Sequence, residues 1–209
     1  MKRFLFVIAT GALAAAPVAA APPTLTLKSS SPTALYSGAV TLSGVLSTAR
    51  TGQSVDIQAQ ECGQNAFKKI ATVTTTTGGA YTSSVKPTLN TTYQAKQKGA
   101  TSPQVTVKVV PKLTLRKTGS RPTRKFAVTL TSAQSFVGKY VLFQKRTSVK
   151  WKTVKKVTLT SVKPGTAPTQ VTSQNFGVRI KGHPKVRVIL VATQAGNCYL
   201  PATSNAVRS

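Results

Sequence analysis

Pro23-Thr24-Leu25-Thr26-Leu27 returns 88 residues later as Pro111-Lys112-Leu113-Thr114-Leu115, and Val40-Thr41-Leu42 returns at the same offset as Val128-Thr129-Leu130. Gly52, Val55 and Ile57 recur as Gly138, Val141 and Phe143. NAFKKIATV, residues 65–73, aligns with VKWKTVKKV, residues 149–157, so that Trp151 stands where Phe67 stands and Val157 where Val73 stands. Self-similarity at a spacing of 84 to 88 residues identifies two copies of one structural unit, and any fold assigned to the chain has to be one that occurs twice.

Within the first copy, apolar residues alternate with polar ones over short runs bounded by turn residues, which is the period of half-buried strands. Strands are expected near 23–28, 39–46, 53–60, 67–76, 80–86, 91–98 and 103–110. The last is the clearest: Val105, Val107 and Val109 point one way, Thr106 and Lys108 the other. Gly78-Gly79 is read as a tight hairpin ahead of Tyr81, Ser83 and Val85. In the second copy Phe176, Val178 and Ile180 take those three places, Gly177, Arg179 and Lys181 face out, and a loop rich in Pro, Gly and Thr, residues 163–170, replaces the hairpin. Threonine, serine and valine dominate the composition, which suits pleated, half-buried surfaces.

Seven short strands in under a hundred residues, twice over, form the pattern of an immunoglobulin-like sandwich. The phrases VTLSGVLS, FKKIATVTTTTGGAYTSSVKP and TTYQAK resemble tandem Ig-like modules of exported and cell-surface bacterial proteins. The resemblance implies an all-β chain of two tandem sandwich domains, 21–110 and 111–209, and a role as spacer, adhesin or binding unit. The second copy departs further from the pattern, and neither copy carries a cysteine pair flanking a tryptophan.

Residues 1–20 read as a signal peptide: Lys2-Arg3 starts it, Phe4 to Ala15 is apolar, and Val18-Ala19-Ala20 ends it with small residues. No later segment approaches the length of a transmembrane helix. An exported chain meets an oxidising compartment, where an even number of cysteines tends to pair. In a sandwich of the resembling kind alternate loops lie at opposite ends. Cys62, after the third strand of the first copy, and Cys198, between the sixth and seventh strands of the second, then both flank the junction at Val110-Pro111. A Cys62–Cys198 bridge within one chain is expected, with a bridge between two chains as the alternative.

Charge separates the two copies. Residues 21–110 hold eight Lys and Arg against Asp56 and Glu61, whereas residues 111–209 hold nineteen and no acid. That shortage of acids removes most chemistry. His183 has no carboxylate in its own copy to orient it, so a serine triad has no third member there. Paired-carboxylate hydrolysis and calcium coordination fail for the same reason. Zinc would need Cys62, Cys198 and His183 with a fourth ligand, and no short ligand spacing exists. The reading is of a protein that is not an enzyme and needs no cofactor or metal.

The cations are a different matter, because a merely solubilising surface mixes both signs. Arg121, Arg124, Lys125, Lys152, Lys155, Lys156, Arg179, Lys181, Lys185 and Arg187 are expected to attract a polyanion diffusely, and not through one base-reading groove. Anionic polymers of the cell envelope are the leading partner and nucleic acid the alternative, since few exposed aromatics are available to stack bases. Trp151 is expected to be a half-buried anchor at the start of a strand, with Lys152, Lys155 and Lys156 on its solvated side.

Overall fold

The computed structural model describes residues 22–119 and 123–209. The expected leader and Arg121 lie outside the described residues. The first half contributes β1 (Lys28–Ser29), β2 (Thr33–Leu35), β3 (Val40–Val45), β4 (Ser54–Glu61), β5 (Lys68–Thr74), β6 (Ala80–Val85), β7 (Thr91–Gln97), β8 (Ala100–Thr101) and β9 (Val105–Val110). The second contributes β10 (Lys112–Gly119), β11 (Arg124–Ser132), β12 (Tyr140–Arg146), β13 (Trp151–Thr158), β14 (Ser161–Pro164), β15 (Gln170–Val178), β16 (Lys185–Leu190), the short helix α1 (Ala192–Ala195), β17 (Ala202–Thr203) and β18 (Val207–Arg208).

Four sheets result, two from each half. In the first, β1-β3-β6 faces β2-β9-β7-β4-β5, with β8 on β7. In the second, β10-β11-β15-β14 faces β13-β12-β16-β17, with β18 also on β16. Each half is therefore an Ig-like β-sandwich, and the sheet orders assign the repeat strand by strand. β3 pairs with β6 as β11 pairs with β15, and β4 lies between β5 and β7 as β12 lies between β13 and β16. The repeated apolar residues make the cores: Leu25, Leu27, Leu42, Val55 and Ile57 are buried in one, and Leu113, Leu115, Leu130, Val141 and Phe143 in the other. The second core adds an aromatic trio, Phe126, Phe143 and Phe176, with ring centroids 5.1 to 5.8 Å apart, within the range favoured by aromatic pairs. In the first core Tyr81 packs against Gly44, where a Cβ would collide with the Thr26 carbonyl and with the phenol, and the Tyr81 hydroxyl donates to that same carbonyl.

Three expectations change. Gly78-Gly79 does not make a hairpin: Thr77–Gly79 is a 3-10 turn that carries the chain from β5 in one sheet to β6 in the other. The hairpin belongs to the second half, where β14 folds back on β15 and the Gly165 amide donates to the Thr169 carbonyl at 2.8 Å. The expected first strand, 23–28, is a single bridge from Leu25 to Leu46 followed by the two-residue β1, and β2 is an additional strand, running parallel to β9.

The sandwiches meet end to end through a bonded junction. Cys62 and Cys198 form a disulfide with Cα atoms 5.3 Å apart, inside the span that a bridge requires. Asn90 ties four partners beside it. Its carbonyl accepts from the Cys62 amide (2.8 Å), its own amide donates to the Cys198 carbonyl (3.0 Å), its Nδ2 donates to the Asn197 carbonyl (2.8 Å) and its Oδ1 accepts from the Val109 amide (2.7 Å). The Tyr199 hydroxyl donates to the Thr88 carbonyl and accepts from the Ala133 amide. Burial holds its phenol well above the ordinary tyrosine pKa, in the neutral form that can do both. Tyr36 and Val109 of the first half are buried in the same apolar cluster as the second core.

Candidate polyanion-binding surface

With the junction at one end of the second sandwich, strand directions fix what lies at the other. β10 ends, β11 begins, β12 turns into β13, β15 turns toward β16, and β18 ends at that far pole. Five of the expected binding residues gather there. Arg179 and Lys181 are exposed in the turn between β15 and β16, Lys185 opens β16, Lys152 follows the first residue of β13, and Lys125 follows the first of β11. Arg146, Lys150 and Arg208, which the sequence reading passed over, stand at the same pole.

Arg124 is a correction. It is only 6% exposed, and its Nη1 donates to the Ile180 carbonyl at 2.8 Å and the Ser209 hydroxyl at 3.1 Å. Its guanidinium closes the far end of the sandwich and is not offered to a ligand. Buried charge needs such partners, and here neutral oxygens supply them. Beside it the His183 Nδ1 lies 3.0 Å from the main-chain oxygen of Ser209.

The outer faces carry charge as well. On β10-β11-β15, an open hollow of about 540 Å³ is lined by Arg116, Thr118, Thr123, Lys125, Asn175, Phe176 and Gly177. Lys155 reaches across from the other sheet, its Nζ donating to the Gly177 carbonyl at 3.1 Å. Lys156 holds its ammonium 3.8 Å from the Tyr140 ring centroid, within cation–π range.

Trp151 is half-buried and is the first residue of β13, matching Phe67, half-buried just before β5. Among the described residues neither apolar core includes Trp151. What covers it is cationic: the Arg187 guanidinium sits 4.2 Å from its centroid and that of Arg146 5.7 Å. Its anchoring is therefore on the outer face of the sheet, with arginine and not leucine as the packing partner.

Acidic side chains are confined to the first half. Asp56 on β4 pairs with Lys69 at 3.5 Å and accepts from the Thr72 hydroxyl at 2.6 Å, so even this carboxylate is locally engaged. Among the described residues no group of three His, Cys, Asp or Glu is placed to hold a metal. No described helix is long and apolar enough to cross a membrane.

No family model matches the chain, and no curated protein matches it. Among solved structures, a crystal structure of bovine butyrophilin is similar at 11% identity and a TM-score of 0.41, over 88% of this chain and 98% of that one. A marsupial T cell receptor is similar at 8% identity and a TM-score of 0.33, over 88% of this chain and all of that one. The sandwich assignment rests on the sheet orders and cores described above.

Proposed function

We propose that the protein is an exported, non-enzymatic binding or spacer protein of the cell envelope, held to an anionic envelope polymer by its basic second half. The observation that carries this reading is nineteen cations and no acid in residues 111–209. An unopposed field of one sign raises the local concentration of polyanions and steers them in, and its reach is about 8 Å at physiological ionic strength, so it acts on surfaces that come close. A disulfide across the junction is in keeping with an oxidising location. The resemblance to bacterial surface modules supports the envelope as the setting. In this arrangement the first sandwich is held outward from the polymer by a bonded joint.

The test is retention of the mature protein on isolated cell wall, with competition by soluble anionic wall polymer and by duplex DNA. Release by wall polymer at lower charge equivalents than DNA is the expected result. Release by DNA first, with preference among DNA sequences, would replace the envelope reading with the second one, an extracellular nucleic-acid-binding protein using the same basic surface.

A further inference from the structure

The attraction proposed above is diffuse, but one of its cations is built differently from the rest. Most of the exposed lysines at the far pole stand on flexible stems. Arg187, on β16, is fixed on two sides. Its Nε donates to the Gln144 Oε1 at 3.0 Å, and its guanidinium lies 4.2 Å from the Trp151 ring centroid. Gln144 is itself buried, and its Nε2 reaches the Thr153 hydroxyl at 3.4 Å, which sets the amide so that its oxygen faces the arginine. The register explains the cluster: Gln144 stands opposite Arg187 on one side and Thr153 on the other, while Arg146 stands opposite Trp151.

We propose that Arg187, stacked on Trp151 and braced by Gln144, is an oxyanion subsite that takes two oxygens of one phosphate or carboxylate group on an anionic polymer. With Nε and one face of the guanidinium engaged, its terminal nitrogens meet no acceptor among the described residues. A planar fork held in place matches paired oxygens and loses little rotamer freedom on binding, which an ammonium on a mobile stem cannot reproduce. Arg146, within 5.7 Å of the same ring, sets a second guanidinium around one indole, and no acid in residues 111–209 offsets the repulsion. A bound anion lowers that repulsion. Lys185 lies two residues from Arg187 on the same face of β16, and Arg208 on β18 stands opposite Lys185, so the charge continues along the sheet as a track for a chain of such groups.

This inference rests on the polyanion reading, and one titration separates the two. Trp151 is the only tryptophan in the chain, so its emission reports on the subsite directly. The full oxidised protein is titrated with inorganic polyphosphate and, separately, with polyglutamate at physiological ionic strength. A saturable change in tryptophan emission is expected, and the polymer producing it at lower concentration identifies the oxyanion as phosphate or carboxylate. Arg187→Lys, which keeps the charge and removes the fork, should weaken binding by about tenfold, and Arg146→Lys by about threefold. Lys28→Gln, exposed on the first half, removes a full charge and should leave affinity unchanged. If Arg187→Lys and Arg146→Lys both melt like the unmodified protein and bind as tightly, the subsite is overturned while diffuse attraction stands. If the unmodified protein binds neither polymer, both readings fall.

Discussion

Asn90 takes part in four hydrogen bonds at the junction, two through its side chain and two through its backbone. Its two side-chain hydrogen bonds reach Asn197 in the second half and Val109 at the end of β9, while its backbone bonds reach both cysteine-bearing segments. Truncation at Ala removes the side-chain pair and strands the Val109 amide. With each lost bond worth about 1 kcal/mol and a stranded buried donor costing about 1–3 kcal/mol, Asn90→Ala should cost about 2–3 kcal/mol in urea unfolding of the full chain. Asn90→Asp, which keeps the acceptor for Val109, should cost less; equal losses would mean that Val109 is not the important partner. At this scale the sequence was partly legible. Counting back by twos from Phe126 puts Arg124 on the inward face of β11, so the period that identified the core also carried the signal against a surface role. Its charge outweighed that signal because a buried arginine is uncommon without a carboxylate. Trp151 was placed at the start of a strand by the repeat, but its guanidinium partners lie on β12 and β16, and pairings across a sheet are not written in local sequence.

At the scale of elements, the repeated stretch that aligns Phe67 with Trp151 has a common position: β5 and β13 are both terminal strands of their sheets. Terminal strands expose unpaired backbone and invite pairing with another chain, and lysine is a common deterrent. Residues 152–156 are all exposed, three of them lysine, and β5 opens with Lys68 and Lys69. Replacing Lys152, Lys155 and Lys156 together by Val should produce concentration-dependent self-association in analytical ultracentrifugation without unfolding the monomer. A strictly monomeric variant would show that these lysines do not guard the edge. Strands with clean alternation were legible, β9 most plainly, because one face must be buried. β14 was not, since all four of its residues are exposed and no burial pattern marks it. Gly78-Gly79 signalled a turn correctly, but turn chemistry does not say which sheet receives the next strand; β5 and β6 part because β3 is the partner of β6.

At the scale of the molecule, the cross-link and the shared apolar cluster join two sandwiches into one stiffened unit. The disulfide spans 136 residues of sequence, and closing a loop of that size in the unfolded chain corresponds to about 4–5 kcal/mol in the chain-entropy account. The Cys62→Ser, Cys198→Ser double variant should lose stability up to that amount in guanidinium titration. Because Tyr36 and Val109 pack into the second core, it should still unfold in a single transition; two separated transitions would show that the disulfide alone coupled the halves. In the proposed function the joint matters because it sets a strongly basic sandwich at one end and a less basic one, which holds both acids, at the other. On that proposal the far pole and outer faces of the second sandwich are the surface that meets the polymer.

The claim that this surface fastens the protein is tested most directly by the salt dependence of binding of the full oxidised chain to purified anionic wall polymer. Two variants are compared with the unmodified protein: five far-pole cations, Lys125, Lys152, Arg179, Lys181 and Lys185, changed to Gln, and five of the first half, Lys28, Lys68, Lys69, Lys86 and Lys96, changed to Gln. Each cation that neutralises a backbone charge adds about 0.7–0.9 to the slope of log affinity against log salt, as established for nucleic acids. The far-pole set should therefore flatten the slope and weaken binding at low salt, while the first-half set leaves both close to the unmodified values. Equal effects from the two sets, or binding that ignores salt in the unmodified protein, would contradict the account.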